Sequence, residues 1–445
     1  MNLTRRTLLA TSAASATALA ALPAAAQSTL PYGLKPGMPY KGQTVRILLV
    51  TTPQFDGLRL RSAEFTKMTG IETKWDTVPF TVLQDKLTSI GVAADGTYDI
   101  VNYLDSWGPP NAAWFVKLDP LLKRDGLSMD TYSKAFAKAA SYKGETTGMP
   151  MRSHAQLFYW RADVFKDLGL GAPKTWDDVV AAGHAIKDKR TDIQPLALSY
   201  HNDGTRQSLF HWVAFVWSAG GKVFDDKMRP AWTSPEAMDA TNFYIGLQTK
   251  EKVTNPASLS FVEQDARVSF QQGKSAMIPI WEWAYSPMIT PGQSILKPDQ
   301  VAFAGWPAYK GLSASTANTM PFSINSNSQH QAAAWEFLKW VSNPDLEKLN
   351  ATQRDVDGVH IQNNVVNHIS NLEDPTVNAD NADVPETCLA SLKNADVLPQ
   401  LPEWPEVGDA IADAVARAAA GGDIPKLFKT ASDRATETLH RAGYF

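Results

Sequence analysis

Residues 45–50 read Val45-Arg46-Ile47-Leu48-Leu49-Val50, a six-residue run in which only Arg46 is polar. A run this short and this apolar predicts a strand buried on both faces. Outward from it, Leu58 to Met68 carries apolar residues at helical spacing, and Thr69-Gly70 supplies a stop. Ile71 to Val78 (IETKWDTV) predicts a second strand, Val82 to Ile90 a second helix, and Tyr98 to Leu104 (YDIVNYL) a third strand. Strand–helix–strand–helix–strand at this spacing predicts an α/β fold with a largely parallel sheet.

The pattern restarts after Pro150. His154 to Trp160 (HAQLFYW) predicts a strand. Pro173-Lys174-Thr175-Trp176-Asp177-Asp178 opens a helix, with Thr175 as N-cap and acids in the first turn. That placement reads Asp177-Asp178 as a helix start rather than an acid–base pair. Ser234-Pro235-Glu236 and Asn343-Pro344-Asp345 open helices in the same way. An Ala-rich helix over Val407 to Ala420 ends at Gly421-Gly422, and a last helix follows. A chain of 445 residues exceeds what one core supports, so two lobes are expected.

The balance of charge narrows the partners. Net charge is −4 with no long basic run, which argues against nucleic acid. The N-terminus, residues 1–26, reads as an export signal. Arg5-Arg6 precedes an Ala-rich apolar stretch, and Ala24-Ala25-Ala26 offers a cleavage site before Gln27. The setting Thr-Arg-Arg-Thr-Leu-Leu resembles a twin-arginine signal, an ordinary secretory signal being the plainer alternative. Residues 27–43, rich in Pro and Gly, read as a flexible leader. The single cysteine, Cys388, has no partner for an intrachain disulfide and reads as a core residue. No cysteine lies near the cleavage site, so an exported periplasmic protein without a lipid anchor is expected.

Motifs for chemistry fail on their own terms. Gly273-Lys274-Ser275 lacks the glycine five residues earlier that a phosphate loop needs, and its strand follows instead of preceding it. The eight histidines show no ligand spacing, so neither a metal nor another cofactor is expected. Gly311-Leu312-Ser313-Ala314-Ser315 lacks the closing glycine of a nucleophile elbow. Asp105 and Glu282 are a conceivable glycosidase pair, though carboxylates in sugar sites more often accept hydroxyl hydrogen bonds. Trp212, Trp217 and Trp404 read as core.

Several stretches, in order, resemble the extracellular solute-binding proteins of ABC importers, in the branch that includes maltose-binding and other sugar-binding proteins. They are EFTKMTGIET (64–73), YDIVNYLDSW (98–107), Gly148-Met149-Pro150, LFYWRADVFKDLGLGAPKTWDDV (157–179), WSAGG (217–221), SPEAM (234–238), FQQGKSAM (270–277) and AAAWEFLKWVSNP (332–344). The resemblance implies a two-lobed periplasmic binding protein fold, type II and maltose-binding-protein-like. It implies a ligand cleft between lobes joined by crossover strands near Arg152-Ser153-His154, near Val301 to Pro307 and near Gly358. The lobes are then 44–152 plus 302–357, and 153–301 plus 358–445.

The same resemblance points to the site. After FQQGKSAMIPI the residues Trp281, Glu282 and Trp283 should reach the cleft, since open α/β sheets bind ligands beyond the carboxyl ends of their strands. An indole covers the C–H face of a sugar ring, and Glu282 can accept from its hydroxyls. Gln54, Phe55 and Asp56 follow the first strand; Tyr103, Asp105 and Trp107 follow the third. Arg152 and His154 sit at the first crossover, His201 and Asn202 in a polar loop of the second lobe, and Trp306 near the second crossover. A helix cap, a turn, a salt bridge or core packing is the plainer role for each. The expected ligand is a sugar, short glycoside or polyol, with a sugar acid or sulfonated sugar kept open by Arg152. The expected partner is an ABC permease, the expected state a monomer, and no turnover is expected. A secreted carbohydrate-active enzyme and a ligand-sensing partner of a membrane receptor are the alternatives.

Overall fold

The computed structural model describes residues 30–361 and 365–445. The export signal read over 1–26 and the first leader residues, 27–29, lie outside the described residues. From residue 30 the leader is anchored at one point, while most of residues 36–43 are exposed. Leu34 is fully buried in the first lobe, and the Lys35 backbone N–H donates to Glu336.

A four-stranded and a six-stranded sheet carry the fold. Their strands are β1 (Thr44–Val50), β2 (Glu72–Val78), β3 (Ile100–Asn102), β4 (Ser153–Arg161), β5 (Gln194–Leu196), β6 (Ser275–Trp281), β7 (Val301–Gly305), β8 (Thr316–Thr319), β9 (Phe322–Ile324) and β10 (Asp396–Val397). In the first sheet, ordered β9-β3-β1-β2, β1 runs parallel to both β2 and β3, and β9 closes the far edge antiparallel. Helices α1 (Ser62–Thr69) and α2 (Phe80–Val92) make the crossovers, and α1 ends at Gly70 in the left-handed conformation, φ 71°. Only a residue without a Cβ adopts that turn at no steric cost.

Strand β4 is the spine of the second sheet. Its first residues, 153–155, pair with β8, while 156–160 pair with β6 and 157–161 with β7, all antiparallel. Residues 153–160 are all buried, which is why this stretch reads as an apolar run without alternation. Helix α3 (Trp176–Lys189) starts where the sequence predicts, with Thr175 and Asp178 exchanging a capping box. Helices α4 (Ser208–Ser218), α5 (Glu263–Gln271), α6 (Val384–Leu392) and α7 (Trp404–Ala419) complete the elements around the cleft.

Two hydrophobic cores divide the chain, and they correct the expected boundaries. Ala155 belongs to the first core and Leu157 to the second, so the first crossover falls within β4, close to the expected place. Val301, Trp306 and Tyr309 pack in the second core, and Ala317 is back in the first. The second crossover is therefore past Tyr309, not at Val301 to Pro307. Val366, Leu372, Val377, Cys388, Leu392 and Val397 pack in the first core, with Val384 alone among their buried neighbours reaching the second, and Leu398 follows in the second. The third crossover thus lies at 397–398, about forty residues beyond Gly358. The reason is tertiary. The helices after 365 have ordinary amphipathic patterns that fit either lobe, and only docking decides. Trp404 and Trp212 are fully buried in the second core, as expected.

Candidate functional site

The carboxyl ends of β1, β3 and β6 converge on the junction of the lobes, and two adjoining cavities open there. The inner one, about 190 Å³, is walled on the first-lobe side by Val50 to Thr52, Phe80, Leu104 and Met320. Gln207, Glu263, Trp281 and Trp283 face them from the second lobe, with Arg152, His154 and Asn318 at the junction. The outer cavity, about 270 Å³, shares Thr52, Arg152 and Trp283 and adds Gln54, Arg267, Ser286 and Gln293. A larger cavity of about 480 Å³ lies on the second lobe between Asp239, Phe243 and Tyr309 and contains none of the expected site residues.

Trp281 ends β6 and is 2% exposed. Its ring meets Phe210 edge-on at 4.8 Å, and its indole N–H donates to Glu263 Oε2 at 2.7 Å. One indole is thus largely core, with a rim on the inner cavity. Trp283, half-buried, lines both cavities. The guanidinium of Arg152 stands 5.8 Å from its ring centroid and that of Arg267 5.6 Å.

Glu282 does not face the ligand space as an acceptor. It is 2% exposed, with Oε1 2.6 Å from His154 Nδ1 and Oε2 accepting from the Ala155 backbone N–H at 3.0 Å. Burial pushes its pKa up to about 8. Burial also holds His154 well below its usual value, assisted by the Arg152 charge. Both groups are then neutral at pH 7. The carboxyl O–H donates to Nδ1, and Nε2 carries the remaining imidazole proton toward the inner cavity. Arg152 is oriented by Nε donation to Gln54 Oε1 at 2.7 Å and lies 3.1 Å from Met320 Sδ. Burial lowers its pKa to about 10, so it stays charged at neutral pH.

Three polar atoms on the inner wall have no hydrogen-bond partner among the described residues: His154 Nε2, Gln207 Oε1 and Asn318 Oδ1. His154 and Asn318 are 2% and 4% exposed, so water offers them little compensation. Aromatic and aliphatic walls with one donor and two acceptors suit a guest that has C–H faces and hydroxyl edges.

Of the expected residues, Gln54, Arg152, His154, Trp281 and Trp283 meet at these cavities, and Glu282 supports them from behind. The others do not. Tyr103 stacks on Phe115 at 4.7 Å and its hydroxyl lies 3.0 Å from Ser323 Oγ, inside the first core. Phe55 packs on Phe322, and Asp56 pairs with the exposed Arg59. Asp105 and Trp107 lie in a 3-10 turn that rolls them inward. Trp107 packs on Phe80, while Asp105 is 1% exposed, its carboxyl pushed well above the usual range by burial. Gln400 Nε2 donates to its Oδ2 at 3.5 Å, and the backbone N–H groups of the turn bear on it as well. Trp306 packs against Trp176, Phe215 and His211 in the second core. His201 is exposed, and Asn202 donates to Asp413 on α7 at 2.8 Å. Sequence reasoning missed Gln207, Glu263, Arg267 and Asn318. A signal existed for one pair: Glu263 and Arg267 are four apart on the helix that leads into β6, a spacing that puts them on one face.

Residues 52–348 match the model of the bacterial extracellular solute-binding protein family. A probable amino-acid ABC transporter periplasmic-binding protein of Sinorhizobium fredii is 23% identical over 317 residues, 69% of this chain and 70% of its own length. The mannitol-binding protein of Pseudomonas aeruginosa is 25% identical over 300 residues, 65% and 66% of the two chains. Among solved structures, an ABC transporter solute-binding protein of Agrobacterium radiobacter in complex with ribitol superposes with a TM-score of 0.74. It is 24% identical, with 90% of this chain and 99% of that one covered. Maltose-bound MalE3 of T. maritima gives 0.75 at 21% identity, with 90% and 99% covered. These structures share the two-lobed fold. With the family model spanning most of the chain and the cleft at the lobe junction, the chain belongs to the bacterial extracellular solute-binding proteins.

Proposed function

We propose that this protein captures a sugar, short glycoside or polyol between its lobes and delivers it to an ABC permease. The observation that carries the reading is the inner cavity, where unpartnered His154 Nε2, Gln207 Oε1 and Asn318 Oδ1 stand beside Trp281, Trp283 and Phe80. Hydroxyl groups both donate and accept, so one polyol satisfies all three atoms while its C–H groups cover the rings. The relatives named for mannitol and complexed with ribitol or maltose support this class; the relative named for amino acids points elsewhere. An amino-acid ammonium needs an anionic acceptor, and the two carboxyls nearest the site, Glu263 and Glu282, are engaged by Trp281, His154 and Ala155.

Capture works by closure. The walls come from both lobes, so a guest touching both binds the closed arrangement better and shifts the population toward it. Micromolar capture corresponds to roughly −8 kcal/mol, within reach of two stacked rings and several hydrogen bonds. The protein acts as a periplasmic monomer, exported by its N-terminal signal, and turns nothing over. Calorimetric titration of purified protein with sugars, polyols and amino acids is the test. Saturable binding of a sugar or polyol is expected. Binding restricted to amino acids, or release of products from a glycoside, overturns the reading.

A further inference from the structure

The outer cavity contains two guanidinium groups near one indole. Arg152 and Arg267 both stand within 6 Å of the Trp283 centroid, at 5.8 and 5.6 Å. Both also line the outer cavity, whose wall is positive unless carboxylates quench them. Here the carboxylates at hand are directed elsewhere. Glu263 sits four residues before Arg267 on α5, the spacing at which acid and base pair on a helix. Its Oε2 accepts from the Trp281 indole instead, and Arg267 Nη1 donates only to the amide oxygen of Gln271, at 2.8 Å. Glu282, the carboxyl next to Arg152, faces His154 and Ala155. Arg152 contacts Gln54 and Met320, both neutral. Among the described residues neither guanidinium closes an ion pair. Asp203, the remaining acid near Glu263, is exposed and accepts from the backbone N–H and hydroxyl of Thr205. Burial raises the pKa values of Glu263 and Glu282, while the Arg152 and Arg267 charges pull Glu263 back down.

We propose that the outer cavity binds an oxyanion carried by the captured solute, a carboxylate, phosphate or sulfonate, so that the preferred guest is an acidic sugar or polyol. Its hydroxylated body occupies the inner cavity and its anionic end reaches Arg152 and Arg267. Guanidinium groups suit this task because their planar donor forks match oxyanion geometry. Gln54 and Ser286 line the same cavity and offer further donors. The inference rests on the capture reading and deepens it.

The test pairs each acid with its neutral parent: D-glucuronate and D-glucose 6-phosphate against D-glucose, and D-gluconate against D-sorbitol. Titration calorimetry is run on the full chain at low and at 0.5 M NaCl. At least one acid is expected to bind tenfold or more tighter than its parent. That margin should shrink with salt and fall to under threefold in Arg267→Gln and Arg152→Gln, with far-UV circular dichroism unchanged. Neutral parents binding as tightly as every acid overturns this inference and leaves capture standing. A margin that survives both substitutions places the anion elsewhere and also overturns it. Failure of every acid and every neutral parent to bind overturns the capture reading, and this inference with it.

Discussion

His154 Nδ1 and Glu282 Oε1 lie 2.6 Å apart in a setting where each is almost wholly buried. The histidine comes from the strand that crosses between the lobes and the glutamate from the turn after β6, so the contact fastens crossover to site. Glu282 is pushed up to about 8, above its ordinary 4.5, and His154 is shifted below its ordinary 6.5. A raised carboxyl favours the folded state while protonated. As pH climbs, the unfolded chain has lost that proton and the folded one has not, so stability falls. The histidine's opposite contribution is complete above pH 6.5. Between pH 6.5 and 8 wild type should therefore lose stability by up to about 1.4 kcal/mol per pH unit relative to Glu282→Gln. Urea denaturation of both proteins at four pH values across that window checks it, parallel lines being the contrary result.

Trp281→Phe keeps the packing on Phe210 but removes the donor that occupies Glu263. The freed carboxylate lies one helical turn from Arg267 and should pair with it. Any preference for acidic over neutral guests is expected to drop several-fold while affinity for the neutral parent changes less, as read by calorimetry. Trp281→Ala is expected to cost about 3–5 kcal/mol of stability, because a buried indole is lost outright.

Tyr103→Phe removes a buried hydroxyl that bonds Ser323 and nothing in the cleft. Stability should fall by about 1 kcal/mol in chemical denaturation. Ligand affinity should stay within twofold of wild type. A larger loss of affinity would return Tyr103 to the binding surface.

His201→Ala and Asn202→Ala alter an exposed loop outside both cavities. Asn202 loses its bond to Asp413, a surface contact worth under about 1 kcal/mol. Both variants should bind as wild type does, and calorimetry with whichever solute wild type binds decides the matter.

What the residues disclosed followed from what is local. Parallel β1, β2 and β3 with their helices were legible because apolar runs and helical spacing alternate over short distances. The capping box at Thr175 was legible because its chemistry lies within four residues. That the segment after β6 reaches the cleft was legible by resemblance, yet the three residues there diverge in role. Trp281 packs inward, Glu282 turns back to the crossover strand, and Trp283 faces both cavities. A 3-10 turn at 105–107 carries Trp107 into the first core and buries Asp105 against Gln400, and no sequence period marks that rotation. The third crossover was expected near Gly358, about forty residues too early, because docking of the helices after 365 depends on surfaces far away in the chain. Gln207 and Asn318 were missed because an isolated amide carries no spacing signal.

Strand β4 runs from the first core into the second, and His154 sits on it just before that handover. In the proposed capture, the residue that would offer a proton to the guest therefore rides on a segment that passes from one lobe to the other. Grip and resting aperture are consequently one mechanical variable, and a substitution that stiffens this strand retunes the apparent dissociation constant through the fraction of molecules already shut, without touching a single contact to the guest.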